Sequence, residues 1–163
     1  MSLAATTAGV EQTRALAGAV SGLVHAGDLV LLAGDLGTGK TAFAQGFAAG
    51  LGVDQAVTSP TFTLVRTYPG GRLVVNHVDV YRLDRLQEAV DLGLAEMVDD
   101  DAVTLIEWGD VVVPALPADF LEIRLAYGEG AGDERRLTLR TVGRRWAARR
   151  RSLEAALAPW TVA

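Results

Sequence analysis

The chain has 163 residues, of which 50% are hydrophobic and 21% are charged, a composition typical of one ordinary globular domain. It contains no cysteine, which excludes a disulfide framework, a thiolate zinc site and a cysteine nucleophile. Twenty acidic residues against fifteen basic ones give a net charge of −5, the wrong sign for a protein that binds nucleic acid on its own. Eight of the fifteen basic residues, however, fall within 135–163, and this basic end suits an anionic partner.

No apolar stretch approaches the roughly 20 residues that a membrane-spanning helix needs. The amino end lacks the positive region and the long apolar region of a signal peptide. We therefore expect a cytosolic protein without a membrane anchor.

The hydrophobic pattern predicts a single α/β domain over 1–163 with a mixed sheet. An amphipathic helix at 10–26 precedes a nearly all-apolar strand at 28–33, and a second helix follows at 40–49. The remaining predicted elements are strands at 62–67 and 73–80, a largely helical segment at 84–98, a strand at 103–106, half-exposed antiparallel strands at 120–127 and 136–142, and an arginine-rich helix at 144–158.

The segment GDLGTGKT at 34–41, between the apolar strand and the second helix, matches the phosphate-binding pattern G-x-x-x-x-G-K-[ST] in full. Its glycines let successive backbone N–H groups turn inward around phosphates, and the following helix adds its positive end. Lys40, which is the only lysine of the chain, is expected to reach the β- and γ-phosphates, and the Thr41 hydroxyl to ligate Mg²⁺. The residues expected to bind the nucleotide here are Asp35, Leu36, Gly37, Thr38, Gly39, Lys40 and Thr41.

The pattern favours ATP over GTP. Guanine recognition in small GTPases uses an Asn/Thr-Lys-x-Asp loop, and this chain has no second lysine to supply one. ATP is thus favoured by exclusion, and the sequence pattern shows no adenine pocket.

A phosphate-binding loop of this kind works with an acidic residue at a strand end, which holds Mg²⁺ directly or through water. Two residues meet that description: Asp79, which follows the run VVNHV at 74–78 near the end of the strand at 73–80, and Glu107 after the strand at 103–106. The pattern alone does not rank one above the other. His25 and His77 indicate no metal site, since no second histidine or cysteine lies at ligand spacing.

Three further motifs carry a resemblance to a known family: TSPTFTLV at 58–65, HVDVYRL at 77–83 and LIEWGD at 105–110. Together with the loop at 34–41 they resemble the TsaE family, bacterial ATPases that are needed for threonylcarbamoyladenosine in tRNA. The resemblance runs from the N-terminal helix to about residue 120. It implies a three-layer, P-loop NTPase-like α/β domain with a mixed sheet and added antiparallel C-terminal strands.

For the metal, the resemblance implies Thr41 and Glu107 as protein ligands of Mg²⁺ and Asp79 as the Walker B-like acid. Lys40, Asp79 and Glu107 would then be the catalytic residues.

Beyond the metal, the resemblance implies three further functional residues. Trp108 would belong to the functional surface, and Thr13 would bring the N-terminal helix close to the nucleotide base. Thr61 would lie on a switch-like loop, although its spacing alone indicates only a turn that leads into a strand.

The function that the resemblance implies is a Mg²⁺-dependent ATPase whose hydrolysis lets a modifying assembly turn over. Its expected partners are TsaD- and TsaB-like proteins, with tRNA reached through that complex and direct contact left open. We expect slow hydrolysis by the isolated chain, because no arginine finger can be assigned. Two alternatives remain: a P-loop small-molecule kinase, and an ATP-gated assembly module in which hydrolysis is incidental.

Overall fold

The computed structural model describes residues 2–35, 37–58, 65–69, 71–79, 101–107, 114, 116–130 and 132–161. Several predictions fall outside these ranges: the helix at 84–98, the start of the strand at 62–67, and the site residues Leu36, Thr61 and Trp108. The expected three-layer arrangement therefore stays a prediction.

Within the described ranges, the chain forms seven strands and four α-helices. They are β1 (Ser2–Thr7), α1 (Val10–Ser21), β2 (Leu29–Ala33), α2 (Lys40–Gly50), β3 (Val65–Tyr68), β4 (Val74–Asp79), β5 (Ala102–Glu107), β6 (Phe120–Tyr127), β7 (Arg135–Val142), α3 (Arg144–Ala147) and α4 (Arg150–Leu157), with a closing 3₁₀ turn at Ala158–Trp160. None of the helices in this part of the chain is long and apolar enough to cross a membrane.

The strands form one mixed sheet in the order β1-β7-β6-β2-β5-β4-β3, which confirms the predicted mixed α/β fold. The four central strands β6, β2, β5 and β4 run parallel, whereas β3, β7 and β1 pair antiparallel with their neighbours. Every residue of β2 and β5 is buried, as is usual for the central strands of a parallel sheet. The carboxyl ends of the four parallel strands meet at one edge, the edge where open α/β sheets bind their ligands.

The main hydrophobic core lies between the sheet and the helices α1, α2 and α4. Val30 and Leu32 of β2 face it from the sheet, while Phe43 and Phe47 of α2 stack with ring centroids 6.3 Å apart. Burial of each such side chain contributes about 1.5–3 kcal/mol. The segment 34–41 is thus anchored at both ends, by a buried strand before it and a buried helix after it.

Strand β1 is an element that the sequence pattern does not predict. Its residues SLAATT are mostly small and only weakly alternating, and alanine is depleted in strands, so the pattern gives little strand signal. The strand forms because β7 offers an open edge, and the two pair antiparallel from Ser2 opposite Arg140 to Thr7 opposite Arg135. A tertiary partner therefore decides the structure here.

Helix α1 ends at Ser21, five residues before the predicted end at 26. Beyond that point the backbone carbonyls bond to side chains from distant parts of the chain. Arg72 donates to the carbonyl oxygens of Ser21 (2.9 Å) and Val24 (3.2 Å), and Arg149 donates to that of Leu23 (2.9 Å). These side chains satisfy the carbonyls of the last helical residue and of the turn that follows it.

The predicted helix at 144–158 is two helices, α3 and α4, separated at Ala148 and Arg149. Arg149 leaves the helical path because its guanidinium binds the buried carboxylate of Asp28, at 2.9 Å from Nη2 to Oδ1, and stacks 4.0 Å from the Trp146 ring. At least one of the C-terminal arginines therefore fastens the end of the chain to the start of β2 and is not available to an anionic partner.

Strand β6 differs from the half-exposed antiparallel strand predicted at 120–127. It lies parallel to β2 on one side and antiparallel to β7 on the other. Its one buried acid, Glu122, is only 4% exposed. Arg124 Nε donates to its Oε1 at 2.6 Å, and Arg140 binds Oε2 with Nε at 3.0 Å. Burial alone would raise the pKa of Glu122, but the hydrogen bonds from Arg140 and Arg124 outweigh it and hold the pKa below its usual range.

Glu122→Gln is expected to lower the free energy of unfolding at pH 7 by about 1.5–3 kcal/mol, the usual contribution of hydrogen bonds to a charged group. Because the folded pKa of Glu122 lies below its unfolded value, this stabilisation is present above about pH 4.3 and is lost as the pH falls through the folded pKa. Urea denaturation at a series of pH values should therefore show a difference in the free energy of unfolding between wild type and variant that decreases at acidic pH. Glu129→Gln is the matched control, since Glu129 is 87% exposed in its ion pair with Arg136. A gap that stays constant with pH would contradict the prediction.

Candidate active site

The loop between β2 and α2 has a backbone path that depends on glycine. Gly34 has φ +147°, and a Cβ at this position would lie 2.5 Å from the carbonyl oxygen of Leu125 on β6. Gly37 and Gly39 also have positive φ, of +80° and +107°. A side chain would be strained at each position, so the glycine spacing of the motif matches what the observed loop requires.

The described part of the loop closes on itself through its own hydrogen bonds. Thr38 donates to the carbonyl oxygen of Asp35 from both its backbone N (3.3 Å) and its Oγ1 (2.7 Å). Lys40 Nζ donates to the carbonyl oxygens of Gly34 (2.7 Å) and Asp35 (2.9 Å). The ammonium group of Lys40 is therefore held against the start of the loop, and the residue is 7% exposed.

The two acidic residues predicted at strand ends are neighbours. Asp79 of β4 is paired in register with Glu107 of β5, and Glu107 in turn lies opposite Leu32 of β2. Both acids are almost fully buried, at 6% and 3% exposed. The structure thus brings Lys40, Asp79 and Glu107 together, although 39 and 28 positions separate them along the chain.

The charged groups of this site interact at close range, with little water between them. Burial lowers the pKa of Lys40 below its ordinary value, and the negative charge of Glu107 opposes that shift most strongly. Asp79 and Asp35 oppose it further. Two buried carboxylates thus face one buried ammonium group at the carboxyl edge of the sheet.

These residues fit a Mg²⁺ ion. Carboxylate and hydroxyl oxygens are the ligands that Mg²⁺ prefers, and Thr41 supplies a hydroxyl from the second residue of α2. The described residues contain no group of three or more His, Cys, Asp or Glu that could hold a metal ion by themselves. Mg²⁺ is commonly bound by one or two protein oxygens together with phosphates and water.

Thr13 of α1 lies beside the loop. A Cβ on Gly39 would be 3.9 Å from Thr13 Cγ2, while Thr13 Oγ1 shares a hydrogen bond of 2.8 Å with Thr7 Oγ1. The side chain is buried, with its methyl group toward the loop. Contact between this helix and a nucleotide base stays a prediction.

Two residues that the sequence pattern did not single out border the same loop. Tyr127 ends β6, and a Cβ on Gly37 would be 2.8 Å from its hydroxyl oxygen. Arg135 begins β7, donates to the carbonyl oxygen of Gly37 (3.3 Å) and lies 4.8 Å from the centre of the Tyr127 ring. The available clue was positional: a strand that runs parallel to β2 as its neighbour must end near the loop that follows β2.

The site combines a glycine-rich strand-loop-helix segment, a buried lysine and two buried acids at neighbouring strand ends, an arrangement typical of proteins that bind phosphates. A family model described as "Threonylcarbamoyl adenosine biosynthesis protein TsaE" matches residues 7–137. The chain belongs to the TsaE family, which confirms the resemblance drawn from the motifs.

Individual relatives agree with the family model. The chain is 41% identical over 140 residues to the "tRNA threonylcarbamoyladenosine biosynthesis protein TsaE" of Bacillus subtilis, covering 86% of each chain. It is 45% identical over 130 residues to the protein of that name from Streptomyces coelicolor, covering 77% of this chain and 87% of the relative. The crystal structure of Bacillus subtilis YdiB matches with a TM-score of 0.81 at 35% identity, over 95% of each chain, and confirms the mixed α/β fold.

Proposed function

We propose that this protein is a Mg²⁺-dependent ATPase with a P-loop NTPase domain, and that it supports threonylcarbamoylation of a tRNA adenosine. The observation that carries the proposal is the convergence of Lys40, Asp79 and Glu107 at the end of a glycine-rich loop. Membership of the TsaE family supplies the pathway, because the relatives are named for tRNA threonylcarbamoyladenosine biosynthesis.

The loop and Lys40 would hold the nucleotide phosphates. Lys40 now bonds two carbonyl oxygens of its own loop, and these bonds keep the ammonium group in place until phosphate oxygens take their positions. The positive end of α2 begins at the same residue and adds a favourable field for anions. Arg135, which reaches the carbonyl of Gly37, adds a further positive charge at the outer side of the loop.

Thr41 and Glu107 would hold Mg²⁺, with Asp79 as the neighbouring acid. When bound, the ion neutralises charge that develops on the phosphates during hydrolysis. Asp79 or Glu107 accepts a hydrogen bond from the attacking water and orients it toward the γ-phosphate, while Lys40 stabilises negative charge on the transferred group. Burial of Lys40, Asp79 and Glu107 strengthens their interactions, because few water molecules compete for them.

ATP is the favoured nucleotide, since the one lysine of the chain is in the phosphate loop and none remains for a guanine-binding loop. The expected partners are TsaD- and TsaB-like proteins, which would carry out the transfer to tRNA. The isolated chain is expected to hydrolyse ATP slowly, because no arginine finger can be assigned in it and the partner assembly would supply that positive charge.

The direct test is Mg²⁺-dependent ATP turnover by the full chain, alone and with the two partner proteins. Slow turnover that rises when the partners are added supports the proposal. Fast turnover that the partners do not change would contradict it, and phosphate transfer to an added small molecule would favour a kinase. ATP turnover that does not depend on Mg²⁺ would refute the metal assignment.

Glu107→Gln separates a motor from an assembly module. The variant keeps the size of the side chain but removes a negative charge, so ATP turnover with partners is expected to fall by about 10²-fold. The motor hypothesis predicts that this variant still joins the partner proteins and fails to support tRNA modification. If modification continues at the wild-type rate while hydrolysis is lost, hydrolysis is incidental. Glu154→Gln on the exposed side of α4 is the control and is expected to behave as wild type in both assays.

A further inference from the structure

His77 is a buried side chain at the site to which neither the motif nor the proposed chemistry gives a role. It lies on β4 two positions before Asp79, so both side chains point to the same face of the sheet. The residue is 1% exposed, and among the described residues neither Nδ1 nor Nε2 has a hydrogen-bond partner. A buried polar group without a partner costs about 1–3 kcal/mol, which calls for a functional or structural explanation.

A buried acid lies beside the ring. His77 Nε2 lies 3.6 Å from Glu107 Oε2, beyond a normal hydrogen bond but within reach of one after a shift of less than an ångström. Both side chains are buried, which leaves the pair little access to water. The imidazole is therefore placed against the acid that the proposed function assigns to the metal.

We propose that His77 is a positioning residue for Glu107: its Nε2–H donates to the carboxylate when that carboxylate holds Mg²⁺, and so fixes its orientation. The inference rests on the proposed function, because it assumes that Glu107 is a ligand. Carboxylate ligands of metals are commonly held by such outer hydrogen bonds, and loss of one lowers metal affinity or activity by about 10–100-fold. A buried histidine that only filled space would have no such effect.

Two polar replacements distinguish these roles. In His77→Gln, the side-chain amide nitrogen falls near the position of Nε2. In His77→Asn, the side chain is too short for its amide nitrogen to reach Glu107. The measurement is the Mg²⁺ concentration that half-saturates binding of a fluorescent ATP analogue to the full chain, together with binding of the same analogue without metal. We expect His77→Asn to raise the half-saturating Mg²⁺ concentration by about 10–100-fold and His77→Gln to keep it close to the wild-type value. Binding of the analogue without metal should stay near wild type in both variants.

Thr104→Val is the matched control. Thr104 is also buried and its hydroxyl also lacks a partner among the described residues, but it lies on β5 three positions before Glu107 and faces the other side of the sheet. Its replacement should leave the Mg²⁺ requirement unchanged. If His77→Asn does not fold, His77→Leu removes the same donor with an apolar side chain.

The outcomes separate the inference from the function on which it rests. A wild-type protein whose nucleotide binding ignores Mg²⁺ would overturn the proposed metal site. A wild-type protein that needs Mg²⁺, with a His77→Asn or His77→Leu variant that needs no more of it, would overturn the role of His77 alone.

Discussion

Lys40→Ala is expected to lower ATP turnover by about 10²–10³-fold, the usual cost of removing one preorganised donor from developing charge. The side chain is the only lysine of the chain and is already buried beside Glu107 and Asp79. No neighbouring lysine can replace it. The change should also weaken ATP binding, because one buried positive charge would be lost while both carboxylates remain. Steady-state phosphate release at saturating ATP and Mg²⁺ measures the first effect, and titration with a fluorescent nucleotide measures the second.

A structural cause must be separated from a catalytic one, since Lys40 also bonds the carbonyl oxygens of Gly34 and Asp35. Lys40→Met keeps most of the side-chain volume and should fold as the wild type does, yet show the same loss of turnover. Arg136→Ala removes an exposed positive charge elsewhere on the sheet and should leave turnover unchanged. Turnover by Lys40→Met within tenfold of the wild-type rate would remove Lys40 from the proposed mechanism.

The parts of the site that could be predicted from the sequence are those specified locally. The apolar run of β2, the glycine spacing and the start of α2 follow one another without interruption, so the pattern predicts strand, loop and helix with the lysine in place. Asp79 and Glu107 were predicted as separate strand ends. That they are adjacent depends on the pairing of β4 with β5, which only the structure shows.

The parts that could not be predicted depend on residues far apart in the chain. Tyr127 and Arg135 reach the loop because β6 lies next to β2, an order that no local pattern reveals. Glu122 is buried on a strand whose alternation predicts exposure, since arginines from β6 and β7 compensate its charge. Likewise, the predicted C-terminal helix is interrupted where Arg149 turns to Asp28, 121 positions earlier.

The contact between α1 and α2 is another long-range feature, and it yields a prediction about stability. Gly46 lies inside α2, where glycine is normally about 1 kcal/mol worse than alanine. A Cβ at this position would, however, lie 2.2 Å from the carbonyl oxygen of Arg14 and 2.5 Å from its Cα. These are backbone atoms of α1, so the two helices would have to separate. Gly46→Ala is therefore expected to lower the free energy of unfolding by about 3 kcal/mol, at the upper end for overpacking a core.

Urea denaturation of the full chain measures the effect, with Gly18→Ala as the matched control. Gly18 faces the same contact from α1, but a Cβ there would meet the carbonyl oxygen of Gly46 at 3.6 Å, an ordinary van der Waals distance. This control should be neutral or more stable by up to about 1 kcal/mol. Equal stability of Gly46→Ala and wild type would show that the helices can move apart without loss of stability.

Separation of the two helices should also weaken nucleotide binding, because α1 carries Thr13 beside Gly39 and α2 begins at Lys40. The Gly46→Ala substitution, which lies outside the loop, therefore tests whether helix packing maintains the conformation of the loop.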